Sequence, residues 1–207
     1  MQSIAIVGGR DDFEIADFLM EIYEETGIPA SAVALDNEMD LKELKSVFEK
    51  AECKVLLVCI DKNNIRGGVM DGARFNTIVY LKSGGAAPRL FAGPSAALYG
   101  GSTIIINSDD KSIFPFFLKK GAALVTCGLN SKASVTVSSL DEDFGREHFQ
   151  CCIQRNIKTY DGDIIPPQEF PVEISRMKNI QNALVAVAAG IISGVETTCF
   201  SKVKENF

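Results

Sequence analysis

The hydrophobic pattern along the chain alternates between two periods. Residues 3–7 form a short apolar run that ends in Gly8-Gly9, the signature of a buried strand. Residues 11–25 then place Phe13, Ile15, Ala16, Phe18, Leu19, Ile22 and Tyr23 at helical spacing, with acids in the first turn where the helix dipole favours them. A second strand is expected over 30–35 and a second helix over 41–51, with Leu41, Leu44, Val47 and Phe48 on one face. Further apolar runs at 54–60, 75–81, 103–107 and 122–127 read as strands three to six. Strands alternating with helices require crossover connections, hence a mostly parallel sheet with helices on both faces. The fold class expected is therefore α/β.

The texture changes after Gly128. Residues 134–140 alternate apolar Val135 and Val137 with polar neighbours, and 149–157 and 172–174 look similar. These segments predict a small antiparallel patch at the edge of the sheet. Residues 176–194 close the chain as an alanine-rich helix. Its apolar run 183–195 includes Gly190, Ser193 and Gly194, and is too short to span a bilayer. Residues 83–101, with five glycines and two prolines, read as a long connecting loop. No internal repeat or strong linker divides the 207 residues, so one domain over 1–207 is expected.

Composition adds exclusions. The net charge is −6 with scattered Lys and Arg, which gives no basic stripe for nucleic acid. The N-terminus has no basic region followed by a long apolar stretch, so neither a signal peptide nor a membrane partner is expected. Six cysteines, Cys53, Cys59, Cys127, Cys151, Cys152 and Cys199, include no C-x-x-C pair and read as reduced thiols of a cytoplasmic protein. A tetrahedral zinc site is not expected, because His148 is the only histidine and lies in a charged segment typical of a surface.

Parallel sheets bind ligands beyond the carboxyl ends of their strands. The first such end is a strand, a glycine turn and a helix, where free N–H groups and the helix dipole converge on an anion. A working phosphate loop adds a lysine and a Ser or Thr hydroxyl for magnesium. This turn reads Gly8-Gly9-Arg10-Asp11-Asp12-Phe13-Glu14 and has neither. Two like charges about 4 Å apart repel by roughly 4 kcal/mol at an effective dielectric near 20, which Arg10 alone does not offset. The G-x-G-x-x-G pattern of nicotinamide-binding folds is also absent. Taken alone, Gly8-Gly9 reads as a tight turn.

Several stretches together resemble the central, ATP-binding domain of the Mur ligase superfamily, the amide ligases of peptidoglycan and folylpolyglutamate synthesis. Residues 3–19 resemble its strand, G-T-N-G-K-T loop and helix. Residues 55–81 (VLLVCIDKNNIRGGVMDGARFNTIVYL) resemble the stretch carrying a magnesium-binding glutamate and a G-R-F-D turn. Residues 101–110 (GSTIIINSDD), 125–129 (VTCGL) and 176–194 (RMKNIQNALVAVAAGIISG) resemble three later motifs, the last with asparagines near the adenine. The matches cover nearly the whole chain in order.

The resemblance implies a P-loop-like sheet and a nucleotide site at Gly8, Gly9, Arg10, Asp12, Phe13, Asn179 and Asn182. It also marks losses at that site. Asp12 stands at the loop lysine and Phe13 at the following threonine. Cys59 stands at the magnesium-binding glutamate, so no metal ligand is expected. Ser83-Gly84-Gly85 stands where a D-H pair is expected, and Lys178 replaces the histidine of H-N-x-x-N. The family's N-terminal substrate domain and C-terminal domain have no counterpart in these residues. Ligation through an acyl phosphate needs the γ-phosphate positioned and its charge neutralised.

The expectation is thus a degenerate, non-catalytic relative that needs no cofactor, serving binding or regulation in cell-wall or amide-ligase metabolism through a protein partner or homo-oligomer. A surviving ligase using ATP and magnesium, with Arg10, Lys62 and Lys82 as phosphate cations or a partner chain completing the site, is the alternative. A small-ligand cleft lined by Gly8, Asn63, Asn64, Ser83, Asn107 and Asp109 is a third reading. Cys59, flanked by Val58 and Ile60 with no activating histidine, reads as a buried thiol rather than a nucleophile. Asp109-Asp110 reads as a cap for a helix from Ser112 rather than a metal pair. Asn179 and Asn182, three apart on one helix face, either meet an adenine edge or anchor the helix start.

Overall fold

The computed structural model describes residues 1–35, 41–61, 74–81, 101–110, 122–140, 148–174, 177 and 179–201, with backbone only at 41–44 and 140. The expected strands form at nearly the expected places: β1 Gln2–Gly8, β2 Ala30–Leu35, β3 Val55–Asp61, β4 Thr77–Tyr80, β5 Thr103–Asn107 and β6 Ala123–Cys127. Helix α1 spans Glu14–Glu25 and α2 Leu41–Lys50. The polar segment before α1 is not α-helical. It is a 3-10 turn over Arg10–Phe13, drawn tight by the contact described below.

Among the described residues, nine strands form one sheet in the order β11-β8-β7-β6-β5-β4-β1-β3-β2. β1 pairs in parallel with β3 on one side and β4 on the other, so the winding reverses about β1. In open α/β sheets ligands bind at such a reversal, which here falls beyond the carboxyl end of β1, at Gly8. The antiparallel part comprises β7 Val135–Leu140, β8 His148–Ile153 and β11 Gln168–Glu173. β7 joins β6 in parallel through Cys127 and Val135, and β8 and β11 then pair antiparallel beyond it. Strand alternation buries Cys151 and leaves its neighbour Cys152 half-buried. The sequence reading overlooked the two-stranded sheet of β9 Ile157–Lys158 and β10 Ile164–Ile165, whose pairs are too short to show a period.

The sheet separates two cores. Ile4, Ile6, Leu57, Val79 and Ile105 face α1 and the closing helix α3, Ile180–Ile192. Ala5, Val7, Val58, Ile78 and Ile104 face α2, where Phe48 meets Phe75 edge-on at 5.7 Å between centroids. α3 is buried from Asn182 to Ile192, as a helix apolar on all sides must be. It starts four residues later than expected, at Ile180, because Asn179 caps it from an extended backbone. Arg176 and Lys178 lie outside the described residues. The helix ends in a Schellman arrangement, with the Val195 N–H on the Gly190 carbonyl at 2.9 Å and Gly194 at φ +97°.

Close packing of α3 depends on Gly190. A Cβ there would stand 2.8 Å from Phe200 Cζ and 3.5 Å from Leu19 Cδ2. Phe200 is fully buried. Gly190→Val should therefore cost about 1–3 kcal/mol by overpacking, read as a lower urea midpoint with an unchanged slope. A wild-type midpoint would show that Phe200 is not seated against α3.

Candidate functional site

The site candidates converge where α3 begins. The side chains of its first turn bridge two polar groups, one after β1 and one at the end of β5.

The first group is the turn after β1. The Asp12 carboxylate folds back, and its Oδ2 accepts the Gly9 N–H at 2.8 Å. The Asp12 N–H in turn donates to the Gly9 carbonyl at 3.0 Å. A Cβ on Gly8 would stand 2.7 Å from Asp12 Oδ2, so glycine is what admits the carboxylate to this turn. Asn182, itself buried, donates Nδ2 to Glu14 Oε1 at 2.8 Å and, at a long 3.5 Å, to Asp12 Oδ1. Phe13 packs against the core on the α1 side, and Arg10 points to solvent. A phosphate approaching the turn meets a carboxylate already on its N–H.

The second group surrounds Asp109, after β5. Its Oδ1 accepts Asn130 Nδ2 at 2.7 Å, and its Oδ2 accepts the Leu129 N–H at 3.0 Å and Gln181 Nε2 at 3.1 Å. Gln181 Oε1 accepts Asn107 Nδ2 at 3.1 Å, while Asn107 Oδ1 accepts the Asp109 N–H at 2.9 Å. A Cβ on Gly128 would stand 2.9 Å from Asp109 Oδ1, so this carboxylate too sits in a cradle open only to glycine. Partial burial works against its charge, but the donors Asn130, Leu129 and Gln181 outweigh it and hold the carboxyl below its ordinary value.

Asn179 accepts the Gln181 N–H at 2.9 Å and so caps α3. With α3 starting at Ile180, Asn179 and Asn182 do not form a helical pair. Asn179 serves the helix end, and Asn182 reaches the β1 turn. Cys59 is buried at 5% exposure, and burial, with the Asp17 charge adding to it, pushes its thiol up to about 11. At neutral pH it is therefore a neutral sulfhydryl without thiolate character. Asn63, Asn64, Lys62, Lys82, Ser83 and the helix expected from Ser112 lie outside the described residues. Gln181 and Asn130 were missed from sequence. The only signal for Gln181 was its place between two asparagines at a helix start.

No protein-family model matches the sequence, and no curated protein sequence matches it. Solved structures do. A UDP-N-acetylmuramoyl-L-alanyl-D-glutamate–2,6-diaminopimelate ligase aligns over 97% of this chain and 45% of its own, with TM-score 0.69 and 16% identity. The MurF ligase from Thermotoga maritima, solved in complex with ADP, aligns over 98% of this chain and 48% of its own, with TM-score 0.61 and 12% identity. A murein peptide ligase from Psychrobacter arcticus aligns over 96% and 45%, with TM-score 0.56 and 17% identity. The fold is that of a Mur-ligase-like domain. The chain spans less than half the length of each of these ligases.

Two outcomes test this geometry. Because folding lowers the Asp109 pKa, its stabilisation is complete above the unfolded value and lost as pH falls through the folded one. Asp109→Asn should thus destabilise the protein at neutral pH, with a gap to wild type that narrows through roughly pH 4 and below. A gap independent of pH would contradict the donor cradle. In alkylation mapping near pH 8, Cys59 should stay unmodified while half-buried Cys53 and Cys199 react. Equal labelling of Cys59 in folded protein would remove the buried neutral thiol.

Proposed function

We propose that this chain is a non-catalytic Mur-ligase-like protein whose nucleotide turn is closed by its own carboxylate, and that the fold serves binding or regulation in cell-wall or amide-ligase metabolism. The contact between the Asp12 carboxylate and the Gly9 N–H, at 2.8 Å, carries this reading. In a phosphate loop that N–H faces the ligand. Here its acceptor belongs to the protein.

The neighbouring residues do not fit ATP and magnesium. The turn offers no lysine for the γ-phosphate and no hydroxyl for the metal. Phe13 is committed to the core. Cys59, which the resemblance sets at the magnesium ligand, is a buried neutral thiol, and magnesium takes oxygen ligands. Phosphoryl transfer draws nearly all its catalysis from positioning and charge neutralisation, so no ligation step is derived for this site. The same groups account for persistence of the scaffold. Asp12, Glu14 and Asn182 tie the β1 turn to α3, and Asp109, Asn107 and Gln181 tie it to β5, so the site residues also hold the architecture.

The test is a calorimetric titration with ATP and excess magnesium on the purified chain. No saturable heat should be seen up to about millimolar nucleotide. A micromolar dissociation constant would overturn the proposal.

A further inference from the structure

We infer that the outer edge of β2 is a docking edge for an extended, basic segment of a partner protein, which pairs with β2 as an added strand and sets Lys or Arg side chains against the carboxylates of α1.

The two edges of the sheet differ. At one end β11 carries Pro171 and the acids Glu169 and Glu173, and the 3-10 helix Thr197–Ser201 leans on it, with Thr197 Oγ1 donating to Gln168 Oε1 at 3.4 Å. Proline, charge and a covering element are the usual guards of a sheet edge. β2, at the other end, reads Ala-Ser-Ala-Val-Ala-Leu and has neither proline nor charge. Among the described residues no strand pairs with its outer side.

The geometry of that edge follows from one contact. The Pro29 carbonyl accepts the Lys54 N–H at 2.7 Å and the Val55 N–H at 3.1 Å, so it points toward β3. Backbone groups alternate sides along a strand, which turns the N–H and C=O of Ala30, Ala32 and Ala34 outward. Their side chains lie on the α1 side. Ala30 packs with the α1 core and Val33 with the opposite one, and Ala32 and Ala34 are exposed.

Charge selects the occupant. A groove of about 1010 Å³ beside α1 is lined by Asp17, Glu24 and Glu25 together with the apolar Phe18, Met20 and Ala30. Glu24 and Glu25 occupy the last turn of α1, which has no basic residue. Carboxylates at a helix C-terminus oppose its dipole, and a cation there relieves both terms. A strand added beside β2 lies about 4.8 Å further out, within reach of lysine or arginine stems laid across the exposed alanines. A second copy would bring the same carboxylates against one another, with −6 on each chain. Main-chain pairing supplies affinity and alternate side chains supply specificity, which fits a segment alternating basic and apolar residues.

The inference gives the proposed binding role a surface, and rests on it only for the existence of a partner; nucleotide and peptide titrations read different parts of the molecule and fail separately. The probe is a short acetylated peptide of alternating valine and lysine, added to the full chain, with amide exchange and calorimetry as readouts. Exchange at Ala30, Ala32 and Ala34 should slow on binding. Ala32→Pro removes an outward N–H and leaves the β3 pairing intact, and should weaken binding at least about tenfold. Glu24→Gln with Glu25→Gln should weaken it and flatten its salt dependence. The wild-type exchange pattern serves even if a variant fails to fold. Protection elsewhere, equal binding of a valine–glutamate peptide, or self-association through the same amides in place of peptide binding would overturn the inference.

Discussion

A strand that ends in a glycine turn and enters a helix leaves backbone N–H groups that must find an acceptor. In this chain the acceptor of the Gly9 N–H is Asp12, only three residues away. Much of the site follows from that contact. It fits the 3-10 turn before α1 and requires a bare Cα at Gly8. It also places a second carboxylate, Glu14, where Asn182 of α3 can donate to it. The Gly9 N–H of this turn is thus satisfied within the protein.

The start of α3 carries the same logic to the neighbouring strands. Three polar positions near its N-terminus divide the work. The Asn182 amide goes to the β1 turn, the Gln181 amide to Asp109 and Asn107 after β5, and the Asn179 amide to the helix itself. The remainder of α3 is apolar and buried, which anchors these polar groups on a rigid element. Two of the carboxylates in the site, Asp12 and Asp109, lie in cradles that only glycine leaves open, at Gly8 and Gly128. On the proposed reading, a nucleotide would have to displace protein acceptors that are local and already positioned.

Much of this was legible in the sequence, for identifiable reasons. The buried strands β1, β3, β5 and β6 are apolar runs bounded by turn residues, and their ends agree with the expected ones to within a residue or two. The loss of the lysine and hydroxyl at the first turn is a matter of residue identity and needs no structure. Other features depend on side-chain direction. Nothing in the order Asp11-Asp12-Phe13-Glu14 says that Asp12 turns inward while Asp11 stays exposed. Asn130 and Gln181 meet Asp109 from positions far apart in the chain, and short contacts of that kind leave no periodic trace. The helical spacing of Asn179 and Asn182 was misleading because the cap interrupts it.

The central claim is that the Gly9 N–H is held by Asp12. The chemical shift of the Gly9 amide proton, followed by NMR, reads that bond directly. The account predicts that Asp12→Ala moves this resonance upfield as its hydrogen bond is lost, and that ATP with magnesium leaves the wild-type resonance in place. An amide insensitive to Asp12 that shifts on addition of nucleotide would contradict it.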